Sequence, residues 1–435
     1  ITCFETEIVL CQQIKDSLGI GLAQVNLGEV YHEQSRANWP QALATYQSAV
    51  ELIRAHGDAY DEADALADLA ALYHDMGDHV AAIHYYAQAV EHLESLRAGM
   101  TSEDARAGFL ADVADIYASA VLACLDAGRP DQAFNIVEQS RSRAFLDVLE
   151  ARSPELARQV YRPPTTLLEV QAALAPETIL LEYFSMGLIE AREARPGSES
   201  RPQRHRFPPP RTLLFAVTAE WLRVFDTHVS PNDLRPASLD GVVERHFLAA
   251  SIRRTLYDRL LGPVAPELVG KRRVYLAPHG PLHYIPFQAL IAPDGQTLLR
   301  EDGPQLVHTP SATYWLRGAR ATPSQAPLSC LAIGYNGQGE DRLQYAEEEA
   351  ETVARLQGGA SVVGDQPKKD VLYHAAKHYR LLHLSCHGLF TPEDPLMSAL
   401  ETAPGETLTA LDVLANLKLD CDLVTISACE SGLSR

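Results

Sequence analysis

Cysteine is scarce in this sequence, with 7 in 435 residues and no CxxC pair among them. That scatter excludes a disulfide framework and a structural zinc site, which need paired or closely spaced thiols. It implies a reducing, cytoplasmic setting. No run of eighteen apolar residues occurs, so no membrane-spanning helix is expected. An initiator methionine and a basic-then-apolar leader are also missing. The opening ITCFETEIVL reads as an internal cut rather than a natural beginning. Positive charge is short: 37 Lys and Arg face 57 Asp and Glu, a net −20. Residues 1–152 hold 24 acidic and 9 basic residues, which is −15 of that total. Such a stretch repels phosphate backbones and would attract a basic peptide or protein face. A solvated helical surface is the simpler reading of it. Apolar residues at 46% and charged residues at 22% are ordinary for a globular protein, and the length predicts two to three domains.

What is present begins with a repeat. AQVNLGEVYHE is followed by QALATYQSAVEL, and ADLAALYHDMGD by AAIHYYAQAVEHL. Ala70, Tyr73, Gly77, Ala82, Tyr86 and Ala89 occupy the small and aromatic positions of a helix-turn-helix unit. Gly28, Tyr31, Ala42, Tyr46 and Ala49 do so one copy earlier, with two residues added in the turn. Small residues let paired helices approach and the tyrosines fill the gaps, so the tyrosines are expected in the core. The pattern resembles tetratricopeptide repeats of about 40 residues. A degenerate third unit follows around LACLDAGRPDQAFNIVEQSRSRAFLDVLEA. Units of this kind stack into a solenoid whose concave face usually binds a partner.

Arg162-Pro163-Pro164 ends the helical part. TILLEYFSM and TLLFAVTAEWLRVF read as strands. Between them EAREARPGSESRPQRHRFPPPR, residues 190–211, reads as a disordered insertion. Its arginines admit a nucleic-acid reading, which would show strong salt dependence abolished by deleting 192–211; a solvated loop is preferred. From about residue 240 helices and strands alternate. FLAASIRRTLYDRLL, EEEAETVARLQ, KKDVLYHAAKHY and LTALDVLANL are predicted helices. RVYLAPHG, CLAIGYN, ASVVG, RLLHLSCHG and CDLVTISACESG are predicted strands. Apolar strands with helical crossovers predict a parallel sheet covered on both faces.

Ligands of such sheets collect outside the carboxyl ends of the strands. His387 is expected to end one strand and Cys429 another, 42 residues on. Consecutive strands are often neighbours, so the two side chains are expected across one cleft. A free thiol is only a few per cent thiolate at neutral pH. An adjacent imidazole favours the thiolate and can protonate a leaving amine. Gly388 and the turn at Ser427–Gly432 leave backbone N–H groups that could hold a tetrahedral oxyanion. Peptide hydrolysis is the natural use of this set.

SCHG followed by DLVTISACESG resembles the paired signature of the CHAT domain, a caspase-like cysteine peptidase module. RVYLAPHGPLHYIPFQAL, HTPSATYWL, LQYAEEEAETVARL and LTALDVLANLKLDCDLV are similar to it too, as is the passage from repeats through SRSRAFLDVL. The resemblance implies His387 as catalytic histidine, Cys429 as nucleophile, and the N–H groups of Gly388 and Cys429 as oxyanion hole. It implies a dyad without an obligatory carboxylate, and neither metal nor organic cofactor. The fold expected is α plus α/β. An α-solenoid over 1–153 is followed by a connecting region and the first part of the CHAT domain over 154–270. A caspase-like core with a mostly parallel sheet covers 271–435, incomplete at the C-terminus, so P1 specificity is not readable. The missing remainder would be required for activity. A protein substrate or regulator would bind the repeats, and neither a membrane nor direct nucleic-acid contact is expected.

Rival residues are expected to pack rather than react. Cys386 should point away from the cleft because side chains alternate along a strand. Cys421 opens a strand at the opposite end of the sheet, and Cys330 follows a loop into one. His279 and His283 have four-residue spacing, but on a Pro-interrupted loop. Glu430 and Ser431 are expected to shape the turn. The alternative function is a repeat scaffold with a vestigial CHAT domain.

Overall fold

Small residues facing aromatic ones close the first seven helices on each other. The computed structural model describes residues 1–99, 103–152, 164–187, 208–234, 249–298, 300, 303–320, 329–389, 391, 395–417 and 419–428. The described residues within 1–151, 162–280 and 287–316 form one unit, and those within 281–286 and 317–435 another.

The first unit begins with α1 (Thr2–Ile14), α2 (Ser17–Gln34), α3 (Trp39–His56), α4 (Ala59–Asp75), α5 (His79–Gly99), α6 (Glu103–Asp126) and α7 (Pro130–Arg152). Side chains of Asp16 and Asp58 accept the first free N–H groups of α2 and α4, which stops those ends fraying. Gly77 and Gly128, at φ +83° and +70°, make the turns before α5 and α7. The longer turn before α3 is filled by a 3-10 segment, Arg36–Asn38. Ala42, Tyr46 and Ala49 are buried, as are Ala82, Tyr86 and Ala89 one repeat on. A Cβ at Gly28 would lie 2.8 Å from the Tyr46 ring, so hydrogen is the side chain that fits there. Tyr31 and Tyr73 depart from the expectation. They are half-buried at the edge of the core, with Tyr73 stacked on Tyr85 at 5.4 Å between ring centroids. Repeat-related clasps join successive units: His32 Nε2 lies 2.8 Å from Asp75 and His74 Nε2 lies 2.8 Å from Asp126. No described helix is long and apolar enough to cross a membrane.

A five-stranded sheet belongs to the same unit. It contains β1 (Thr178–Met186), β2 (Arg211–Val217), β3 (Leu222–Asp226), β4 (Arg273–Ala277) and β5 (Gln305–His308), in the order β3-β2-β1-β4-β5. The first three strands are antiparallel, whereas β4 and β5 run parallel to β1. TLLFAVTAEWLRVF is therefore two strands, not one. The Thr218 hydroxyl accepts the N–H groups of Glu220 and Trp221 and turns the chain there. RVYLA joins this mixed sheet rather than the parallel sheet of the later strands. Met186 pairs with Arg211 at one end of the β1–β2 ladder. Residues 190–207 of the arginine-rich stretch lie outside the described residues. Arg211, placed in the insertion by the sequence reading, opens β2 instead. His279 has a structural role: its Nδ1 accepts the Ser185 N–H at 2.9 Å and its ring stacks on Phe184.

Charged side chains of α7 enter this sheet region. The Glu138 carboxylate, fully buried, accepts the N–H groups of Ala312 and Thr313 and the hydroxyls of Ser311 and Thr313. It thereby caps α10 (Ala312–Arg320), after α8 (Leu167–Ala173) and α9 (Ala250–Leu260). The Arg141 guanidinium donates to the carbonyls of Tyr183, Ala277, Pro278 and Pro310 and lies 3.4 Å from Glu182. Phe134 and Val137 of the same helix pack with Leu180, Phe184 and Phe215.

The second unit holds a four-stranded, wholly parallel sheet. Its strands are β6 (Cys330–Gly334), β7 (Ala360–Val362), β8 (Leu381–Ser385) and β12 (Leu423–Ser427), in the order β12-β8-β6-β7. Alternate residues serve opposite faces. Leu331, Ile333, Leu382 and Leu384 pack with Leu372 of α12 (Lys369–Ala375). Cys330 and Ala332 pack with Ala350 and Ala354 of α11 (Ala346–Leu356). The central strands are thus covered on both faces, as the apolar pattern predicts. β12 is exposed along its length, Leu423, Val424 and Ile426 included. A three-stranded antiparallel sheet of β9 (His387–Leu389), β10 (Ala399–Ala403) and β11 (Glu406–Thr409) leads into α13 (Ala410–Asn416).

Burial raises the Glu182 carboxyl well above its ordinary value, the neighbouring Glu138 adds to this, and Arg141 opposes it. The folded chain then keeps a proton that the unfolded chain releases above about pH 4.3. The stability held below that pH is lost as pH rises toward the raised value. In Glu182→Gln that loss disappears. The melting temperature of the variant relative to the parent is expected to climb between pH 5 and pH 7; parallel curves would refute the buried neutral acid.

Candidate active site

β8 and β12 are paired in register, and every partner is 42 residues away: Leu381 with Leu423, His383 with Thr425, Ser385 with Ser427. The ladder runs one residue further, because the Cys386 N–H donates to the Ser427 carbonyl at 3.2 Å. On the other side of β8 the Tyr335 N–H donates to the Ser385 carbonyl at 3.0 Å. The carboxyl ends of β6, β8 and β12 therefore finish at one level.

His387 stands at that level but does not end β8. The strand stops at Ser385, Cys386 intervenes, and His387 opens β9, opposite Glu401 of β10. Gly388 lies within β9, opposite Leu400. Backbone at Gly337 backs the imidazole. A Cβ there would sit 2.7 Å from His387 Cδ2 and 2.8 Å from Nε2, and φ is +76°. Only glycine meets both demands. Asn336, just before it, is held by α11: its N–H donates to the Glu347 carboxylate at 3.3 Å, and its Oδ1 accepts the Glu347 N–H at 3.2 Å. Cys429, Glu430 and Ser431 lie outside the described residues.

The rival thiols are placed where packing predicts. Cys386 is fully buried, and burial, with Glu401 adding and Lys368 opposing, pushes its thiol up to about 12. Such a group is not a nucleophile at neutral pH. Cys330 is buried at the start of β6 and Cys421 is half-buried two residues before β12, each with a thiol raised by burial. No cluster of His, Cys, Asp and Glu among the described residues could hold a metal ion.

Sequence reasoning missed the polar network on the α11 face of the sheet. One oxygen of Glu349 accepts the Ser385 hydroxyl at 2.8 Å and the Ser427 hydroxyl at 3.2 Å. The other lies 3.3 Å from His383 Nε2, while His383 Nδ1 meets the Thr425 hydroxyl at 2.6 Å. A signal was available. His383, Ser385 and His387 recur as Thr425, Ser427 and Cys429, always 42 apart and always on alternate positions.

Two family matches agree with this architecture. The CHAT domain matches residues 251–435 and the tetratricopeptide repeat residues 19–95. The chain pairs tetratricopeptide repeats with a CHAT domain. CHAT domains are of the caspase-like cysteine peptidase clan, and the repeats are protein-interaction modules. No curated protein matches the chain. The CHAT match begins in α9, so it takes in β4 and β5 of the mixed sheet as well as the parallel sheet.

Gly337→Ala would add a methyl against the imidazole of this CHAT domain and strain a left-handed residue by about 1–2 kcal/mol. The expected result is a displaced His387 ring resonance in histidine-labelled protein, with the other histidine signals unmoved. An unshifted His387 signal would refute the contact.

Proposed function

We propose that the protein is a cysteine endopeptidase of the caspase-like type, with His387 and Cys429 as its dyad. The observation that carries this reading is the constant 42-residue register of β8 and β12. Position 387 and position 429 have that same separation, two residues beyond the last paired rung. The chemistry of the rivals supports it as well, since Cys386 is sealed in the core with its thiol near 12.

In the proposed mechanism His387 takes the proton of the Cys429 thiol, and the thiolate attacks the scissile carbonyl carbon. The oxyanion so formed is held by the N–H groups of Gly388 and Cys429. Collapse expels the amine, which receives its proton from His387. Water, deprotonated by the same imidazole, then hydrolyses the thioester and restores the thiol. The repeats would receive a protein substrate or regulator, and the acidic surplus of residues 1–152 favours a basic segment. The setting we assign is the reducing cytoplasm, where the six described cysteines remain free thiols.

Adding the full-length protein, its Cys429→Ala variant and its His387→Ala variant to host-cell lysate, and reading new protein termini by mass spectrometry, tests this. Termini are expected with the parent alone, at least about 10³-fold above either variant. Equal termini with all three, or none at all in the presence of a repeat-bound partner, would replace the peptidase by a repeat scaffold.

A further inference from the structure

The network around Glu349 links the two strands that carry the proposed dyad. Its Oε2 accepts both Ser385 and Ser427, the residues two before His387 and two before Cys429. Below that rung, His383 and Thr425 are joined by their own side chains at 2.6 Å. Two successive rungs of the β8–β12 pair are therefore cross-linked on the face that α11 covers. In the sequence, positions 387 and 429 follow this rung with the same separation of 42. α11 reaches the sheet closely enough for this because β6 ends in glycine. A Cβ at Gly334 would lie 2.8 Å from both the Ala346 carbonyl and the Ala350 methyl. The same helix turn, through Glu347 and Asn336, steadies the loop whose Gly337 backs His387.

We propose that Glu349 is a positioning residue for the dyad: its carboxylate fixes the ends of β8 and β12 against each other and so sets the approach of His387 and Cys429. The inference rests on the reading of those two residues as the dyad. Glu349 acts here through hydroxyl groups, not on substrate. Two acceptor oxygens suit this work: one takes both hydroxyls while the other lies beside His383. Two donors on one oxygen make the linkage a bridge between strands rather than a cap on one of them.

The test follows alkylation of each cysteine by iodoacetamide against pH, in the full chain, with peptides resolved by mass spectrometry. In the parent, Cys429 is expected to react with a midpoint below the ordinary thiol value of about 8.5. His387→Ala is expected to move that midpoint up. Glu349→Ala is expected to move it the same way and to slow Cys429 at pH 7 about tenfold, the effect of one pKa unit. Cys386 and Cys330 should stay protected, and Glu349→Gln, which still accepts from one hydroxyl, should recover part of the rate. If His387→Ala shifts the midpoint and Glu349→Ala leaves it on the parent curve, positioning by Glu349 is overturned while the dyad stands. If neither variant shifts it, the dyad reading falls and takes this inference with it. Should Glu349→Ala expose Cys386, Ser427→Ala on the exposed edge strand decides instead. The same upward shift there sustains the bridge, and a parental curve overturns it.

Discussion

A buried guanidinium sets the terms for the first unit. Taking an ion out of water costs several kcal/mol even after relaxation, so the fold must surround it with acceptors. Arg141 finds four backbone carbonyls from β1, the end of β4 and the turn before α10, with Glu182 alongside. Three residues earlier on α7, Glu138 answers the opposite need by taking the free N–H groups at the start of α10. Apart from Tyr183, which lies within β1 just past its last pair with β4, these are a strand end and a helix start, the places where backbone groups lack partners of their own. The last helix of the repeat array is thus also a core helix of the mixed sheet. A solenoid that ended elsewhere on its surface could not satisfy both charges.

In the second unit the same economy of partners operates around α11. Its alanines allow close packing on β6 and β8, and its glutamates supply what the polar residues of β8, β12 and the Asn336 loop require. Cys386 shows what alternation does at the end of β8: it turns to the core, and burial leaves its thiol too basic to react.

Much of this architecture is written in short-range patterns. Ala42, Tyr46 and Ala49 against Ala82, Tyr86 and Ala89 announce paired helices because close packing needs those sizes at those spacings. TILLEYFSM matches β1 residue for residue. Other features depend on distant partners. The union of RVYLA with β1 joins residues 95 apart, as in Thr178 with Arg273, and no local pattern distinguishes it from membership of the parallel sheet. The hairpin at Thr218 lacks glycine or asparagine and turns on a threonine hydroxyl, a weak signal. The β10–β11 hairpin carries a Pro404-Gly405 turn, with Gly405 at φ +68°, a local signal for its bend but not for its pairing with β9. At the site, the end of a strand just before His387 was legible, as was the 42-residue recurrence of polar residues along β8 and β12. The new strand that opens at His387, its glycine backing and the choice of Glu349 as shared acceptor were not, because each arises from tertiary contact.

Among the described residues β12 pairs with β8 alone, and its side chains are exposed throughout. Little apolar contact holds it there, whereas β6 and β8 are sealed between α11 and α12. What ties it to β8 is polar: the backbone ladder, the Glu349 bridge and the His383–Thr425 hydrogen bond. Hydrogen bonds demand direction as well as distance, so this pair of strands has its register set by partners that a slip of one residue would break.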